Sequence, residues 1–445
     1  MKLSADSEKA PLVAPGNLAP FILVTVLFFL WGVPNNLNDV LIRQFMKSFV
    51  LNRFQAGLVQ SAFYLGYFLF ALPAALFMRR RGYKAGLVTG LMLFGLGTFL
   101  FWPAAIVARY SYFLFALFVI ASGLAFLETA SNPFIAQLGD PKTSERRLNF
   151  SQAFNPLGSI TGILIGTVFI FSGIELSPEK VSALEASHQY GDYLRSETFR
   201  VVRPYMILGL VAVAWGILIL RTNFPAIQTE HERSGEDHGH ARELLKYRHF
   251  LLAVPTLFVY NGTQVGTWSY FIQYVQGYTH EPEKTAGYLL TGTLAAFGAG
   301  RFFSAWLMKF FQANQVMGGY ALVNILLVTL GVLFPGWLGV WAILLTSFFM
   351  SVMFPTIFAF GVKELGPNTK IGGSFIIMGI VGGAILTPAM GLMSQVFSSL
   401  AIAYLIPLFG YVAVAFYGFK GSRVSLPATR SMASGSVRWQ NGPSR

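Results

Sequence analysis

The sequence predicts an all-α polytopic membrane protein, with twelve transmembrane helices in two pseudo-symmetric six-helix bundles. Three observations carry that prediction. Only 11% of the 445 residues are charged and 54% are hydrophobic. An ordinary soluble domain carries about 25% charged residues, so this chain has too few to cover a water-facing surface. Apolar stretches of about 20 residues, the length a helix needs to cross a bilayer, recur from end to end. Finally, the second half of the chain echoes the first.

The predicted spans are 19–47, 54–80, 83–105, 109–138, 148–173, 203–222, 250–277, 284–310, 316–335, 338–364, 370–396 and 398–419. Residues 19–222 form the first bundle and 249–419 the second, joined by a charged linker at 223–248. The opening stretch 1–18 lacks the apolar core and cleavage site of a signal peptide and reads as a short tail. The basic, Ser-, Gly- and Pro-containing end, 420–445, has a composition that favours disorder.

An even number of spans puts both chain ends on one face. Loops on the other face carry nine Lys and Arg, whereas loops on the terminal face carry fifteen. The positive-inside rule then predicts that both termini are cytoplasmic, in the inner (plasma) membrane. The net charge of +13 follows from that topology and from contact with anionic lipid, and does not call for nucleic acid. Cysteine is absent, which excludes disulfides, thiol nucleophiles and thiolate metal sites. The six His lie in connecting segments or at span ends. No HExxH, no serine elbow and no paired acids with a metal-binding His appear. The chain is therefore expected not to be an enzyme, to hold no metal or organic cofactor, and to act as a monomer in the bilayer.

The repeat includes the residues that shape helices. "FQAGLVQSAFYLGYFLFALPAALFMRRRGYKAGLVTGL" has a weaker counterpart in "KTAGYLLTGTLAAFGAGRFFSAWLMKFFQANQVMGGYAL". "NPFIAQLGDPKTSERRLNFSQAFNPLGS" is echoed by "FPTIFAFGVKELGPNTKIGGSFIIMGIVGG", which aligns Pro133 with Pro355 and Gly139 with Gly366. Two six-helix halves with such repeats are the signature of a major facilitator transporter. Rocking one half against the other needs this symmetry; a channel or a membrane enzyme does not.

Three ionisable residues lie well inside spans: Asp39, Glu128 and Arg301. A lone charge at mid-bilayer costs about 3 kcal/mol even on lenient insertion scales, so these residues should face an interior cavity. Burial penalises the charged form of a carboxyl, which suits Asp39 and Glu128 to bind and release protons, with the proton as coupling ion. Either carboxyl could instead anchor neighbouring helices. Arg301 could contact ligand, pair with a carboxylate or bind backbone carbonyls.

At helical spacing, Trp31, Asn35, Asn38, Asp39 and Ile42 form one stripe, and Pro34 removes a backbone hydrogen bond within it. Gln152, Asn155 and Ser159 recur at i, i+3 and i+7 of the fifth span. Asn261, Gln264 and Trp268 repeat that spacing in the seventh. Amides both donate and accept, which suits a polyhydroxylated ligand, and aromatic rings offer flat faces to a sugar. The same amides could serve as glue between helices. Every carboxylate within a span belongs to the first half, so coupling is expected there, with amides, aromatics and one arginine from the second.

"FFLWGVPNNLNDVLIRQF", "FQAGLVQSAFYLGYF", "AFLETASNPF", "LNFSQAFNPLGS", "FPTIFAFGVKELG" and "GGSFIIMGIVGGAILTPAMG" together resemble the fucose/proton symporter family of the major facilitator superfamily. The likeness extends over nearly all of 19–419. It implies two bundles around a sugar cavity, alternating access, Asp39 as the residue whose protonation is coupled to transport, and Glu128 as a second essential carboxylate. It also implies that Gln152 and Asn155 line the sugar cavity. Two departures, Arg43 after the NNLND motif and Pro156 after Asn155, bear on which sugar is carried. A facilitative sugar uniporter, a proton/drug antiporter and a non-transporting sugar sensor are the alternatives.

Overall fold

The computed structural model describes residues 13, 15–139, 144–225, 241–308, 310–365 and 368–423, which form helices and connecting turns without any strand. Among the described residues, ten helices are long and apolar enough to cross a membrane: α1 (Leu18–Ser48), α2 (Arg53–Met78), α3 (Arg80–Val107), α4 (Tyr110–Gln137), α5 (Phe150–Ile170), α6 (Tyr190–Arg221), α9 (Ala313–Leu333), α10 (Trp337–Gly361), α11 (Gly372–Val396) and α12 (Leu400–Gly421). Two more complete the succession: α7 (Arg248–Ser269), continued by Phe271–Thr279, and α8 (Glu283–Leu307). Both are long but less apolar. They carry Asn261, Gln264 and Arg301, polar side chains that a lipid-facing helix would not tolerate.

The sixth span differs from expectation. It begins at Tyr190, not near 203, and its early part already buries Glu197 and Thr198. Asp192, Arg195, Arg200 and Arg203 lower the hydropathy of this stretch, and Glu197 is buried there through its ion pair with Lys47. Of the expected linker, 226–240, with His231, His238 and His240, lies outside the described residues, as do 1–12, Gly366 and 424–445.

Local sequence explains the element boundaries. Asn52 and Gln55 form a reciprocal capping box at the start of α2, which satisfies two otherwise orphaned donors. Gly82 turns the chain between the second and third spans at φ +80, where a side chain would be strained.

Small residues fix how the helices approach. In α5, Gly158 and Gly162 stand four apart and lie against the carbonyl oxygens of Phe29 and Val33 in α1, so any Cβ there would collide. Such small-xxx-small spacing lets membrane helices meet backbone to backbone. The second half repeats the device: Gly382 of α11 lies against the Phe258 carbonyl of α7. Between the halves, α2 meets α11 where Gly57 abuts Pro388, and α5 meets α8 where Gly287 abuts Thr167. The internal repeat thus reappears as matched contacts, α1–α5 with α7–α11.

Candidate functional site

A central cavity lies between the halves, in two adjoining chambers. The narrow one, of about 260 Å³, is bounded by Asn35, Asn36, Asp39, Gln60, Tyr64, Tyr67, Glu128, Asn155, Pro156, Ser159, Asn261, Gln264, Trp268, Phe297 and Arg301, among others. The wider one, of about 750 Å³, is bounded by Phe28, Trp31, Asn132, Gln152, Met308, Ala313 and Pro355, and shares Asn35, Glu128, Asn155, Arg301 and Phe354 with the first. Met308 and Ala313 flank the α8–α9 turn, on the same face as the chain termini. The wide chamber therefore extends toward that terminal face.

The opposite, far face is held shut by bonds between the halves. Lys47 Nζ of the first half lies 3.1 Å from Glu283 Oε1 of the second and 2.9 Å from Glu197 Oε2 of its own half. The Gly173 N–H donates to Glu283 Oε1 at 2.9 Å. Glu175 accepts from the Glu283 N–H at 3.0 Å and from Gln276. Arg43, one of the two departures, also meets Glu175, at 3.8 Å. Tyr270 Oη donates to the Arg53 carbonyl at 2.8 Å, and Ser61 Oγ to that of Ala384 at 2.6 Å. Glu283 is fully buried and Glu197 is 3% exposed. Their pairing answers the desolvation penalty that unpaired buried charges would carry.

Asp39 sits between this seal and the cavity. Its Oδ1 accepts from Gln60 Nε2 and from Ser269 Oγ, both at 2.9 Å, and Gln60 Nε2 also donates to Ser269 Oγ at 2.9 Å. Glu128 faces both chambers. Beside it a short chain of amides runs along the rim: Gln152 Nε2 donates to Asn132 Oδ1 at 3.1 Å, and Asn132 Nδ2 to the Glu128 carbonyl at 3.0 Å. Asn155 Nδ2 donates to the Phe28 carbonyl at 3.2 Å, so its oxygen remains for a ligand.

From the second half, Trp268 presents its ring, fixed by Nε1–H donating to Ser347 Oγ at 3.1 Å and by edge contact with Phe297 at 5.3 Å. Asn261 Oδ1 has no hydrogen-bond partner among the described residues. The Arg301 guanidinium lies 4.9 Å over the Phe297 ring, and its Nε donates weakly to the Ser351 carbonyl at 3.4 Å. Of the options open to Arg301, it takes a backbone carbonyl and the cavity; no carboxylate pairs with it among the described residues.

The structure brings together Asp39, Glu128, Trp31, Asn35, Gln152, Asn155, Asn261, Gln264, Trp268 and Arg301 around this cavity. Asn38 is the exception. It is fully buried off the cavity, and neither end of its amide has a partner among the described residues. At about 100° per residue, the α1 face that meets the cavity is centred nearer Asn35 and Asp39. That rotation brings in Asn36 and turns Asn38 away, while Ile42 shares the face but lies beyond Asp39, toward the seal, and is fully buried. Sequence reasoning missed Asn36, Gln60, Tyr64, Tyr67 and Ser269. The signal for three of them was present, since Gln60, Tyr64 and Tyr67 stand at i, i+4 and i+7 inside an apolar span. Lys47, Glu197 and Glu283 were missed because they lie at span ends, where charge is ordinary.

Comparison with known proteins agrees with this geometry. Residues 20–387 match the family model of the Major Facilitator Superfamily. The chain is 41% identical to the L-fucose-proton symporter of Escherichia coli over 403 residues, covering 89% of this chain and 92% of that protein. It is 33% identical to a glucose/galactose transporter of Brucella abortus, covering 90% and 93%. A crystal structure of the transporter FucP in the outward conformation matches with a TM-score of 0.67 at 40% identity, covering 92% of this chain and all of that one. With two six-helix halves about one polar cavity, this chain belongs to the Major Facilitator Superfamily.

Proposed function

We propose that this protein is a proton-coupled symporter that imports a hexose or deoxyhexose by alternating access. One observation carries the reading: a single cavity, walled by both halves, gathers two carboxylates, amides and aromatic rings while one face is sealed and the other approached. Two of its similar relatives are named for fucose–proton symport and for glucose/galactose transport, which supports a sugar as cargo.

In the proposed cycle Asp39 takes a proton while the far face is open, which lowers the penalty of enclosing it. Sugar then binds among Asn35, Asn155, Asn261 and Gln264, with Trp31 and Trp268 against its C–H faces and Gln152 on the path. Glu128 links sugar to proton. The far face closes, as it is here, sugar leaves toward the terminal face, and Asp39 releases its proton. The excess of Lys and Arg in the terminal-face loops supports a cytoplasmic placement of both termini in the inner membrane. The protein works as a monomer, with the proton as its coupling ion and no further cofactor, and does not catalyse covalent chemistry. Residues 19–222 and 249–419 move as the two bodies.

Counterflow in proteoliposomes against labelled hexoses and deoxyhexoses, with external pH recorded, tests this. Sugar-dependent alkalinisation is expected. Sugar flux without proton movement would make the protein a uniporter, and absence of flux for every sugar would remove the reading.

A further inference from the structure

The hydrogen bonds at Asp39 join the proposed proton site to the opposite half of the molecule. Gln60 Nε2 has two hydrogens, and they go to Asp39 Oδ1 and Ser269 Oγ; the single Ser269 hydroxyl hydrogen also goes to Asp39 Oδ1. All three donations converge directly or indirectly on one oxygen, which acts purely as an acceptor. Hydrogen bonds to an ionised acceptor are about twice as strong as neutral ones. Gln60 belongs to the first half with Asp39, whereas Ser269 ends α7 of the second half. Opening the far face would carry Ser269 away and leave Gln60 in place.

Ser269 is fully buried and is not among the residues that bound the cavity. It is therefore positioned to touch Asp39 without touching sugar. The Asn36 side chain, which bounds the narrow chamber, also hydrogen-bonds the Asp39 carboxyl, and Asp39 itself borders that chamber. The other titratable or charged groups around this chamber are Tyr64 and Tyr67 from α2, Glu128 from α4 and Arg301 from α8; α7 contributes none.

We propose that Ser269 is the positioning residue through which the second half reads the protonation of Asp39. When the O–H bond of the Asp39 carboxyl breaks, the proton passes to chamber water and the electron pair stays on the carboxylate. Ser269 then donates to a charged acceptor. The contact between the halves is strong only after proton release, which ties the two-state equilibrium of the carrier to the state of Asp39. Closing the far face brings Ser269 to Asp39 and favours the carboxylate, so a proton taken up with the far face open is released once that face has closed. Without the hydroxyl the closed state favours release less, and sugar movement slips relative to proton movement.

This inference rests on the assignment of Asp39, and the test separates the two. Full-length protein carrying Ser269→Ala, Ser269→Thr, Asp39→Asn or Asp39→Asn with Ser269→Ala is compared in proteoliposomes. The readouts are sugar counterflow and accumulation under an imposed proton gradient. For Ser269→Ala we expect a counterflow KM within about twofold of the parent and accumulation lower by about fivefold or more, a twofold-to-tenfold effect being typical of one hydrogen bond. Ser269→Thr, which keeps the hydroxyl, should restore accumulation, and Ser269→Ala should add nothing to Asp39→Asn. If Ser269→Ala does not reach the membrane, Ser269→Cys, a weak donor of similar size, makes the same comparison. Parental accumulation in Ser269→Ala, or an equal loss of counterflow with a raised KM, would overturn the proposal. Full proton-driven accumulation by Asp39→Asn would instead overturn the assignment of Asp39.

Discussion

Lys47 and Glu283 lie on opposite halves of the molecule, yet Nζ and Oε1 stand 3.1 Å apart at the sealed far face. Lys47 also holds Glu197, 2.9 Å away within its own half. This arrangement lets the bond between halves break while Lys47 keeps a partner. Removing one member of a buried ion pair costs roughly 3–5 kcal/mol, and the retained Glu197 reduces that figure here. Glu283→Gln should therefore open the far face more often. The chain has no native cysteine, so a single Leu294→Cys, at a residue that also bounds the narrow chamber, serves as reporter. Its labelling by an impermeant maleimide from the far side should speed up by about tenfold, equivalent to roughly 1.4 kcal/mol. An unchanged rate would show that the pair does not hold the seal.

Asp39→Asn keeps an oxygen that accepts from Gln60 and Ser269 but cannot lose a proton. Sugar exchange should persist, while proton-driven net uptake should vanish. Sugar-induced alkalinisation at the parental rate would remove Asp39 from the coupling step.

Asn36 and Asn38 make opposite predictions despite lying two residues apart. Asn36 bounds the narrow chamber, so Asn36→Ala should weaken sugar binding by about 2–10-fold, the effect of one lost hydrogen bond. Asn38 is buried away from it, and Asn38→Ala should leave the counterflow KM within about twofold. Equal effects would reverse the rotation assigned to α1.

The α1–α5 joint can be tested by stability alone. Gly158→Ala drives a methyl group into the Phe29 carbonyl, whereas Gly191→Ala meets nothing within 4 Å. Overpacking of this kind costs about 1–3 kcal/mol, so the first should lower the thermal midpoint in detergent. The second should leave it unchanged or raise it slightly, since alanine is the better helix former.

Most of the cavity was legible in the sequence because polar groups are scarce inside apolar spans, and each one found there needs a polar destination. That reasoning found Asp39, Glu128 and Arg301 directly, and helical spacing found Asn155 and Gln264. It misjudged Asn38 because spacing defines a stripe without defining where the neighbouring helices leave a gap. It passed over Ser269, since one serine at a helix end is unremarkable until the fold sets Asp39 beside it.

Hydropathy and its repetition by themselves determined that this chain spans the membrane in two matched halves. Burying apolar surface and satisfying every backbone group in lipid leaves a helix few alternatives. Only the tertiary structure decided which face is sealed, and by which pairs. Those bonds join residues as distant as Asp39 and Ser269, or Lys47 and Glu283. Whether they meet depends on the relative placement of two bodies that the local pattern of neither half encodes.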